Sequence, residues 1–238
     1  LRSSVYDFYA VTKIRAERVV IESGLKYWAS IRQTGIMEPS VMGMMDPIMF
    51  HCPLDMCMEA ITPRDAGYGL VQCLECPDDF YGKIYNMSDG PPFRVVFWQF
   101  LRDSMEAVGM GDFRKIMERN WFCLRNFHCG WYEDSGVLND YLHHWRDSKE
   151  SHLEQIKKNA PWYVGLGKLA PKIFIKQFVM KRMAMKPMGP LSWVKNNNEG
   201  RIKAFFKSKK NWENIPGWDA PLPNPDDVEQ HLLDHGYN

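Results

Sequence analysis

The pattern of apolar and polar residues predicts a helix, a short turn and a strand at the start of the chain. The helix contains the stretch from Asp7 to Arg18 and continues to Glu22. It ends at Ser23-Gly24, where glycine suits the left-handed conformation common at helix ends. Residues 26–32, Lys-Tyr-Trp-Ala-Ser-Ile-Arg, have the composition of a strand. A loop containing glycine and proline follows at residues 33–39.

Further along the chain, the same pattern predicts alternating helices and strands. The expected elements are a helix after an apolar turn at 60–71, a strand and turn at 82–90, an amphipathic helix at 97–108 and a polar helix at 148–159. Residues 171–186 alternate apolar with basic side chains. The proline-rich segment 215–225 cannot hold a helix and is expected to be extended.

Tyr9 and Lys13 lie four residues apart in the first predicted helix. At about 3.6 residues per turn, this spacing places both side chains on one face, one turn apart. Two unit charges about 5 Å apart at an effective dielectric of about 20 interact by roughly 3 kcal/mol, which favours the phenolate. Tyr9 is therefore a candidate general acid or base. Because the same spacing occurs in many helices without a catalytic role, both interpretations stay open on spacing alone.

Several short motifs follow one another in an order that resembles the extended short-chain dehydrogenase/reductase family, which includes NAD(P)-dependent epimerases, dehydratases and reductases. In that family a Tyr-x-x-x-Lys helix precedes a strand ending in a loop like Arg-Pro-Thr-x-x-x-x-Pro. This chain has Arg-Gln-Thr-Gly-Ile-Met-Glu-Pro at 32–39. The segment at 60–71 resembles the family's short Val-x-Asp-x-Ala segment, and the strand and turn at 82–90 resemble its Gly-x-x-Tyr-Asn-x-x strand. The resemblance covers residues 4–110.

The resemblance implies an α/β fold and a set of site residues. The chain would be the C-terminal part of a doubly wound parallel-sheet (Rossmann-like) fold with a large, mainly helical substrate-side region. Tyr9 would be the general acid/base, and Lys13 would hold the nicotinamide ribose. Thr34 and Ile36 would face the nicotinamide of NAD or NADP. Gln33 replaces the family's usual proline, which leaves the details of this loop open.

Composition and cysteine usage indicate a cytoplasmic globular protein without a metal. Among 238 residues, 45% are hydrophobic and 25% are charged, and no apolar run is long enough to span a bilayer. Cys73 and Cys76 have zinc-knuckle spacing, but Cys73 falls inside an apolar helix pattern, so no metal site is predicted. Reduced thiols are expected for all six cysteines, at positions 52, 57, 73, 76, 123 and 129.

A glycine-rich turn that could bind a dinucleotide phosphate is not evident in the sequence. Such a turn joins a strand to the N-terminus of a helix. Gly165-Leu166-Gly167 lacks the third glycine, and Gly109-Met110-Gly111 follows a predicted helix rather than a strand. Because the chain begins at Leu1 and reaches its best motif within ten residues, we expect a fragment that is inactive alone.

The net charge of +1 conceals a strong asymmetry near the end of the chain. Residues 168–210 contain twelve Lys or Arg and one acid, Glu199, whereas residues 211–238 contain six acids and no Lys or Arg. The basic segment is a solvated or internally neutralised face, a site for an anionic small molecule, or a surface for membranes or nucleic acid. The first of these is the commonest for such charge runs.

The sequence therefore predicts an NAD(P)-dependent oxidoreductase that couples proton transfer by a Tyr/Lys pair to hydride transfer at a carbonyl or hydroxyl carbon. Residues 1–110 would belong to the dinucleotide-binding fold, and residues 111–238 to a helical, loop-rich extension. A nucleotide-sugar epimerase or dehydratase and a non-catalytic anion-binding scaffold remain alternatives. The expected partner is a small-molecule substrate, with an anionic one as an option. Neither nucleic acid nor stable membrane insertion is expected, and a homodimer stays open.

Overall fold

The computed structural model describes residues 8–40, 43, 45–164 and 169–222. The chain forms two units by its internal contacts. Unit 1 comprises the described residues of 1–38, 58–95 and 128–152, and unit 2 those of 39–57, 96–127 and 153–238. The chain therefore passes between the units several times, and the division at residue 110 drawn from the sequence stays a prediction.

Two small sheets make the chain a mixed α/β protein. The strands are β1 (Ala29–Gln33), β2 (Gly35–Ile36), β3 (Cys57–Ile61), β4 (Lys83–Met87) and β5 (Arg94–Val96). Strands β1 and β4 pair in parallel, while the second sheet has the order β2-β3-β5, with β2 and β3 also parallel. Just after β1, the amide of Thr34 donates to the carbonyl of Met87 on β4 at 3.0 Å.

The first predicted strand begins three residues later than expected. Its partner β4 begins at Lys83, which pairs with Ala29, so the ladder has no partner for the residues before Ala29. Lys26 and Tyr27 instead form a surface contact in which the ammonium lies 4.5 Å from the ring centroid. The strand at 82–90 is confirmed as β4.

Ten α-helical segments and one π-helix are present among the described residues. The helices are α1 (Phe8–Ile21), α2 (Pro63–Gln72), α3 (Phe97–Ala107), α4 (Ser135–Leu142), α5 (Lys149–Asn159), α6 (Lys172–Phe174), α7 (Lys181–Ala184), α8 (Pro190–Lys195), α9 (Glu199–Phe206) and α10 (Lys209–Glu213), with the π-helix at Ile175–Met180 between α6 and α7. The predictions of α1, α2, α3 and α5 are confirmed within three residues at each end.

Local signals explain where these helices begin and end. Gly24, just after α1, has a φ of 72°, which a residue with a side chain rarely adopts. Thr62 caps α2 by accepting from the amide of Asp65, and Pro63 occupies the first turn. Ser148 and Ser151 exchange side chain to backbone hydrogen bonds at the start of α5. Residues 215–222 are not helical, as expected from their prolines.

Each unit has its own apolar core. In unit 1 the core is formed by Ile61, Ala66, Phe80, Tyr85, Met87, Leu138 and Leu142. In unit 2 a core cluster consists of Cys123, Trp193, Val194, Ile202, Ala204, Phe205 and Phe206. All six cysteines are free thiols. Among the described residues, the search for a helix capable of crossing a membrane finds none.

A buried acidic network fixes the start of α2 in unit 1. The carboxylate of Asp89 accepts from the Thr62 amide at 2.9 Å, and that of Asp65 accepts from the Asp147 amide at 2.6 Å. Asp147 in turn pairs with Arg64. Although burial opposes the effect, hydrogen bonds from Arg64 and Thr62 lower the pKa of Asp147. Asp65 therefore fixes the backbone at Asp147 against the start of α2.

The pKa of Asp89 is raised to about 8, chiefly by burial and also by the nearby carboxylates of Asp65 and Asp147. Its folded form therefore holds a proton that an unfolded aspartate releases above a pKa of about 3.9. We expect the free energy of unfolding to fall as the pH rises between those two values, because the folded state binds more protons there. Urea unfolding of the native protein and Asp89→Asn at several pH values measures this component.

Burial lowers the pKa values of His144 and His152, so these groups change the free energy of unfolding with pH in the opposite direction. Both proteins contain these histidines, so subtracting the pH profile of Asp89→Asn from that of the native protein cancels their contributions. Asp140→Asn, at an exposed position of α4, is the matched control and should leave the profile unchanged. A native profile that is parallel to that of Asp89→Asn from about pH 4 to 8 would contradict the assignment.

Candidate active site

Helix α1 places Tyr9 and Lys13 together on an exposed face. The Lys13 ammonium lies 5.2 Å from the centroid of the Tyr9 ring, and 59% of Tyr9 is exposed. The Thr12 hydroxyl donates to the Tyr9 carbonyl at 2.7 Å, within the first turn of the helix. The structure therefore brings the predicted pair together, with the phenol accessible to a ligand from solvent.

A forked ion pair joins α1 to β1. None of the residues of α1 is fully buried, so apolar packing alone does not fix its position. The Glu17 carboxylate accepts two hydrogen bonds from the Arg32 guanidinium, each 2.8 Å long, and a third from the Ser30 hydroxyl at 2.8 Å. Hydrogen bonding from Arg32 lowers the pKa of Glu17, so this carboxylate is charged at neutral pH. Bidentate geometry of this kind restricts both distance and orientation.

Thr34 and Ile36 differ in their accessibility after β1. Thr34 is only 6% exposed, and its hydroxyl donates to the Glu59 carbonyl at 2.6 Å. Ile36 is 47% exposed and lies on β2, opposite Ile61 of β3. The Thr34 side chain thus fixes the loop from within, whereas the Ile36 side chain is available to a ligand. A direct contact of either residue with a cofactor stays a prediction.

Residues 128–132 connect α1 with this loop. The His128 ring centroid lies 5.7 Å from that of Tyr9. The sulfur of the next residue, Cys129, lies 3.6 Å from the place that a Cβ on Gly35 would take. Because Gly35 stands between Thr34 and Ile36, these contacts bring the Tyr9 ring and the loop close to neighbouring residues of one short segment. The sequence did not indicate that His128 lies beside Tyr9.

Burial keeps two other ionisable side chains near this loop protonated. Burial raises the pKa of the Cys129 thiol to about 11 and that of the Tyr132 phenol to about 12. Both groups are therefore neutral at physiological pH and are poor general bases. Tyr9 differs from them because its phenol is exposed and lies beside an ammonium group. Among these neighbours, Tyr9 is the better candidate for proton exchange.

Glu59 holds the surroundings of the site together. Its carboxylate is completely buried on β3, pairs with the Arg94 guanidinium and accepts a hydrogen bond from the Ser88 hydroxyl. The Arg94 guanidinium also lies over the ring of Trp131, 3.6 Å from its centroid. A carboxylate inside the apolar strand Cys57–Ile61 is the sequence signal that could have identified this residue, because a buried charge needs a partner.

Gly109 to Gly111 do not form a phosphate-binding turn, because such a turn joins a strand to the N-terminus of a helix. Gly109 and Gly111 have φ angles of 79° and 74° and follow helix α3, which is typical of a tight turn after a helix. Gly165-Leu166-Gly167 lies outside the described residues. Within the described part of the chain, no group of three or more His, Cys, Asp or Glu side chains could hold a metal ion.

Comparison with known proteins gives no relative for the chain. No protein-family model matches the sequence, and neither a curated protein nor a solved structure matches it. The candidate site is therefore argued from its geometry and from the motifs themselves.

We predict that Glu59→Gln lowers the free energy of unfolding by about 3 kcal/mol, because removing one partner of a buried ion pair leaves the other charge uncompensated. Glutamine keeps the size of the side chain, so the loss reports charge rather than a cavity. Urea unfolding of the purified chain measures the change.

Glu150→Gln is the matched control, since Glu150 is 72% exposed at its side chain and lies 3.7 Å from Lys149. Its free energy of unfolding should change by less than about 1 kcal/mol. If the Glu59 and Glu150 variants are equally stable, Glu59 is not the central anchor of this unit.

Proposed function

We propose that the chain supplies the proton-transfer part of an NAD(P)-dependent oxidoreductase of the extended short-chain dehydrogenase/reductase type. The observation that carries this proposal is the exposed Tyr9 phenol with the Lys13 ammonium 5.2 Å from its ring centroid, on a helix that precedes a parallel strand. The order of helix α1, strand β1 and an adjacent loop agrees with the motif order on which the resemblance rests.

In this proposal Tyr9 transfers a proton and Lys13 orients the cofactor. The Tyr9 phenol donates its proton to a substrate carbonyl oxygen during reduction, or accepts one from a hydroxyl during oxidation. Lys13 hydrogen-bonds the ribose hydroxyls of the cofactor. Ile36 covers one side of the nicotinamide ring. When bound, the dinucleotide supplies or accepts the hydride at the substrate carbon.

The fit of a dinucleotide to the described residues is partial. An exposed phenol, a neighbouring ammonium and an exposed Ile36 suit the nicotinamide and its ribose. The described residues contain no strand, glycine-rich turn and helix for the pyrophosphate. The proposal therefore assigns pyrophosphate binding to residues other than these. Tyr9 is also more exposed than a working general acid/base, because enclosed sites exclude water and thereby strengthen electrostatic interactions. A further part of the protein must cover the pair in the active form.

We expect the 238 residues alone to show no saturable binding of NADH or NADPH, because the described residues offer the pyrophosphate no cradle of backbone amides. Titration of the chain with each dinucleotide, followed by the fluorescence of the reduced nicotinamide, measures this. Saturable binding with a dissociation constant in the micromolar range would contradict the assignment of pyrophosphate binding to other residues. It would not contradict the proton-transfer role of Tyr9.

Tyr9→Phe tests the chemistry in a form of the protein that binds the dinucleotide. The substitution removes the transferable proton but keeps the ring beside His128, so turnover should fall by about 100-fold or more while cofactor affinity is retained. Lys13→Met should weaken both cofactor binding and turnover. Steady-state kinetics on an accepted carbonyl substrate, together with cofactor titration, separates the two effects.

Tyr27 and Lys26 provide a matched control pair in the same unit. Tyr27 is about as exposed as Tyr9, and the Lys26 ammonium lies 4.5 Å from its ring centroid. Tyr27→Phe and Lys26→Met should therefore leave turnover and cofactor affinity at native levels. Full turnover by Tyr9→Phe would show that the catalytic assignment is wrong.

A further inference from the structure

The helical stretch from α6 to α7 presents large apolar side chains to solvent. Six such side chains between residues 169 and 188 have exposed fractions from 39% to 84%: Leu169, Ile173, Phe174, Phe178, Val179 and Met188. The rings of Phe174 and Phe178 contact each other, with centroids 4.7 Å apart. Clusters of exposed apolar side chains on a folded protein usually mark an interaction surface.

The fold of unit 2 does not require these side chains. A different set of residues from the same stretch is buried in the protein, namely Ile175, Met180, Met183 and Ala184. The stretch therefore has two apolar faces, one packed against its own protein and one exposed. The π-helix at Ile175–Met180 contributes residues to both faces.

The segment that carries the exposed face has positive charge alone. Acids of other segments lie nearby, because Glu118 pairs with Lys176, and Asp103 and Glu106 line the cavity beside Trp162. Residues 169–198 contain six Lys or Arg and no acid. The Lys172 ammonium donates to the Met110 carbonyl at 3.0 Å, and Lys176 pairs with Glu118. Three further cations of this segment, Lys181, Arg182 and Lys186, are exposed to solvent. Of these, Arg182 also lies near the exposed cluster, with its guanidinium 5.5 Å from the Phe178 ring centroid.

A second exposed aromatic pair, Trp162 and Tyr163, lies near the turn that follows α3. Trp162 is 82% exposed, and it lines a cavity together with Val108 and Gly109. The carbonyl of Met110, the next residue, receives the Lys172 hydrogen bond. Trp162 and the start of α6 therefore both lie beside residues 108–110. Tryptophan is enriched where a protein meets the headgroup region of a bilayer.

We propose that unit 2 binds the surface of an anionic lipid bilayer reversibly through residues 169–188. The apolar side chains would enter the boundary between headgroups and acyl chains, while Lys181, Arg182 and Lys186 would contact anionic headgroups. The binding is peripheral, since neither α6 nor α7 is long enough to span a bilayer.

Charge makes lipid a better occupant than a second copy of the chain. In a twofold dimer the same patch meets itself, so the cations of one copy would face those of the other. Like charges placed across an interface are unfavourable. An anionic bilayer instead offers apolar chains and negative charge in adjacent layers, which matches the two kinds of side chain on this surface.

Co-sedimentation of the chain with phosphatidylcholine vesicles that contain phosphatidylserine tests the proposal. We expect binding that weakens with added salt and is much lower on pure phosphatidylcholine. The double variant Phe174→Ser with Phe178→Ser should lower the partition coefficient by at least about tenfold. Lys181→Gln with Arg182→Gln should also lower it by about tenfold, and only on vesicles that contain phosphatidylserine.

Matched control variants distinguish binding through this surface from nonspecific adsorption to vesicles. Val71→Ser with Leu74→Ser removes two exposed apolar side chains from unit 1, and Lys209→Gln with Lys210→Gln removes two exposed cations from α10. Both control variants should bind vesicles as the native chain does. Because every substituted side chain lies at the surface, circular dichroism and thermal unfolding should match the native protein.

Several results would overturn the proposal. One is a failure of the native chain to bind phosphatidylserine vesicles, and another is equal binding by the Phe174/Phe178 variant. A concentration-dependent dimer that the same variant disrupts, without any vesicle binding, would assign the surface to contacts between copies instead. The activity of Tyr9 does not enter any of these measurements.

Discussion

The buried carboxylate of Glu59 is the constraint on which the arrangement of unit 1 depends. Its side chain joins β3 to Arg94 of β5 and to Ser88 after β4. Its backbone carbonyl accepts from the Thr34 hydroxyl, and its amide donates to the Gly130 carbonyl at 3.2 Å. One residue thus connects both sheets to the segment that carries His128. An unpaired charge in this position would be costly, so the arrangement is strongly selected over alternatives in which these elements separate.

The candidate active site is held mainly by polar contacts. Helix α1 buries no residue fully, and the fork between Glu17 and Arg32 fixes it against β1. Partly exposed ion pairs contribute less than buried apolar contacts, and their contribution falls with salt. The position of Tyr9 is therefore sensitive to its surroundings. Additional protein packed on the exposed side of α1 would both exclude water from the phenol and restrict the helix that carries it.

Local signals in the sequence were sufficient to predict helices α1, α2, α3 and α5 and strands β1 and β4. The glycine after α1, the threonine and proline at α2 and the apolar period of α3 each act within a few residues, so they can be recognised without tertiary contacts. Strand β3 was not predicted, because its composition, Cys-Met-Glu-Ala-Ile, combines residues of weak strand preference with a charge. The sequence pairs Tyr9 with Lys13 by spacing, but nothing local indicates that His128 lies beside them, 119 positions downstream of Tyr9. Likewise, Thr34 has the same local signature whether its hydroxyl faces a ligand or, as here, a neighbouring strand.

The basic segment near the end of the chain shows how packing changes the meaning of a charge count. Sequence alone gives twelve cations and one acid between 168 and 210 without distinguishing their roles. In the structure, Lys172 and Lys176 serve contacts within unit 2, and Arg201 lies over the Trp193 ring at 4.8 Å from its centroid. Those cations stabilise the fold. Lys181 and Arg182 differ because they stand on a face whose apolar residues are also exposed, and it is this combination of exposed charge with exposed apolar area, rather than the number of cations, that indicates a surface for another molecule.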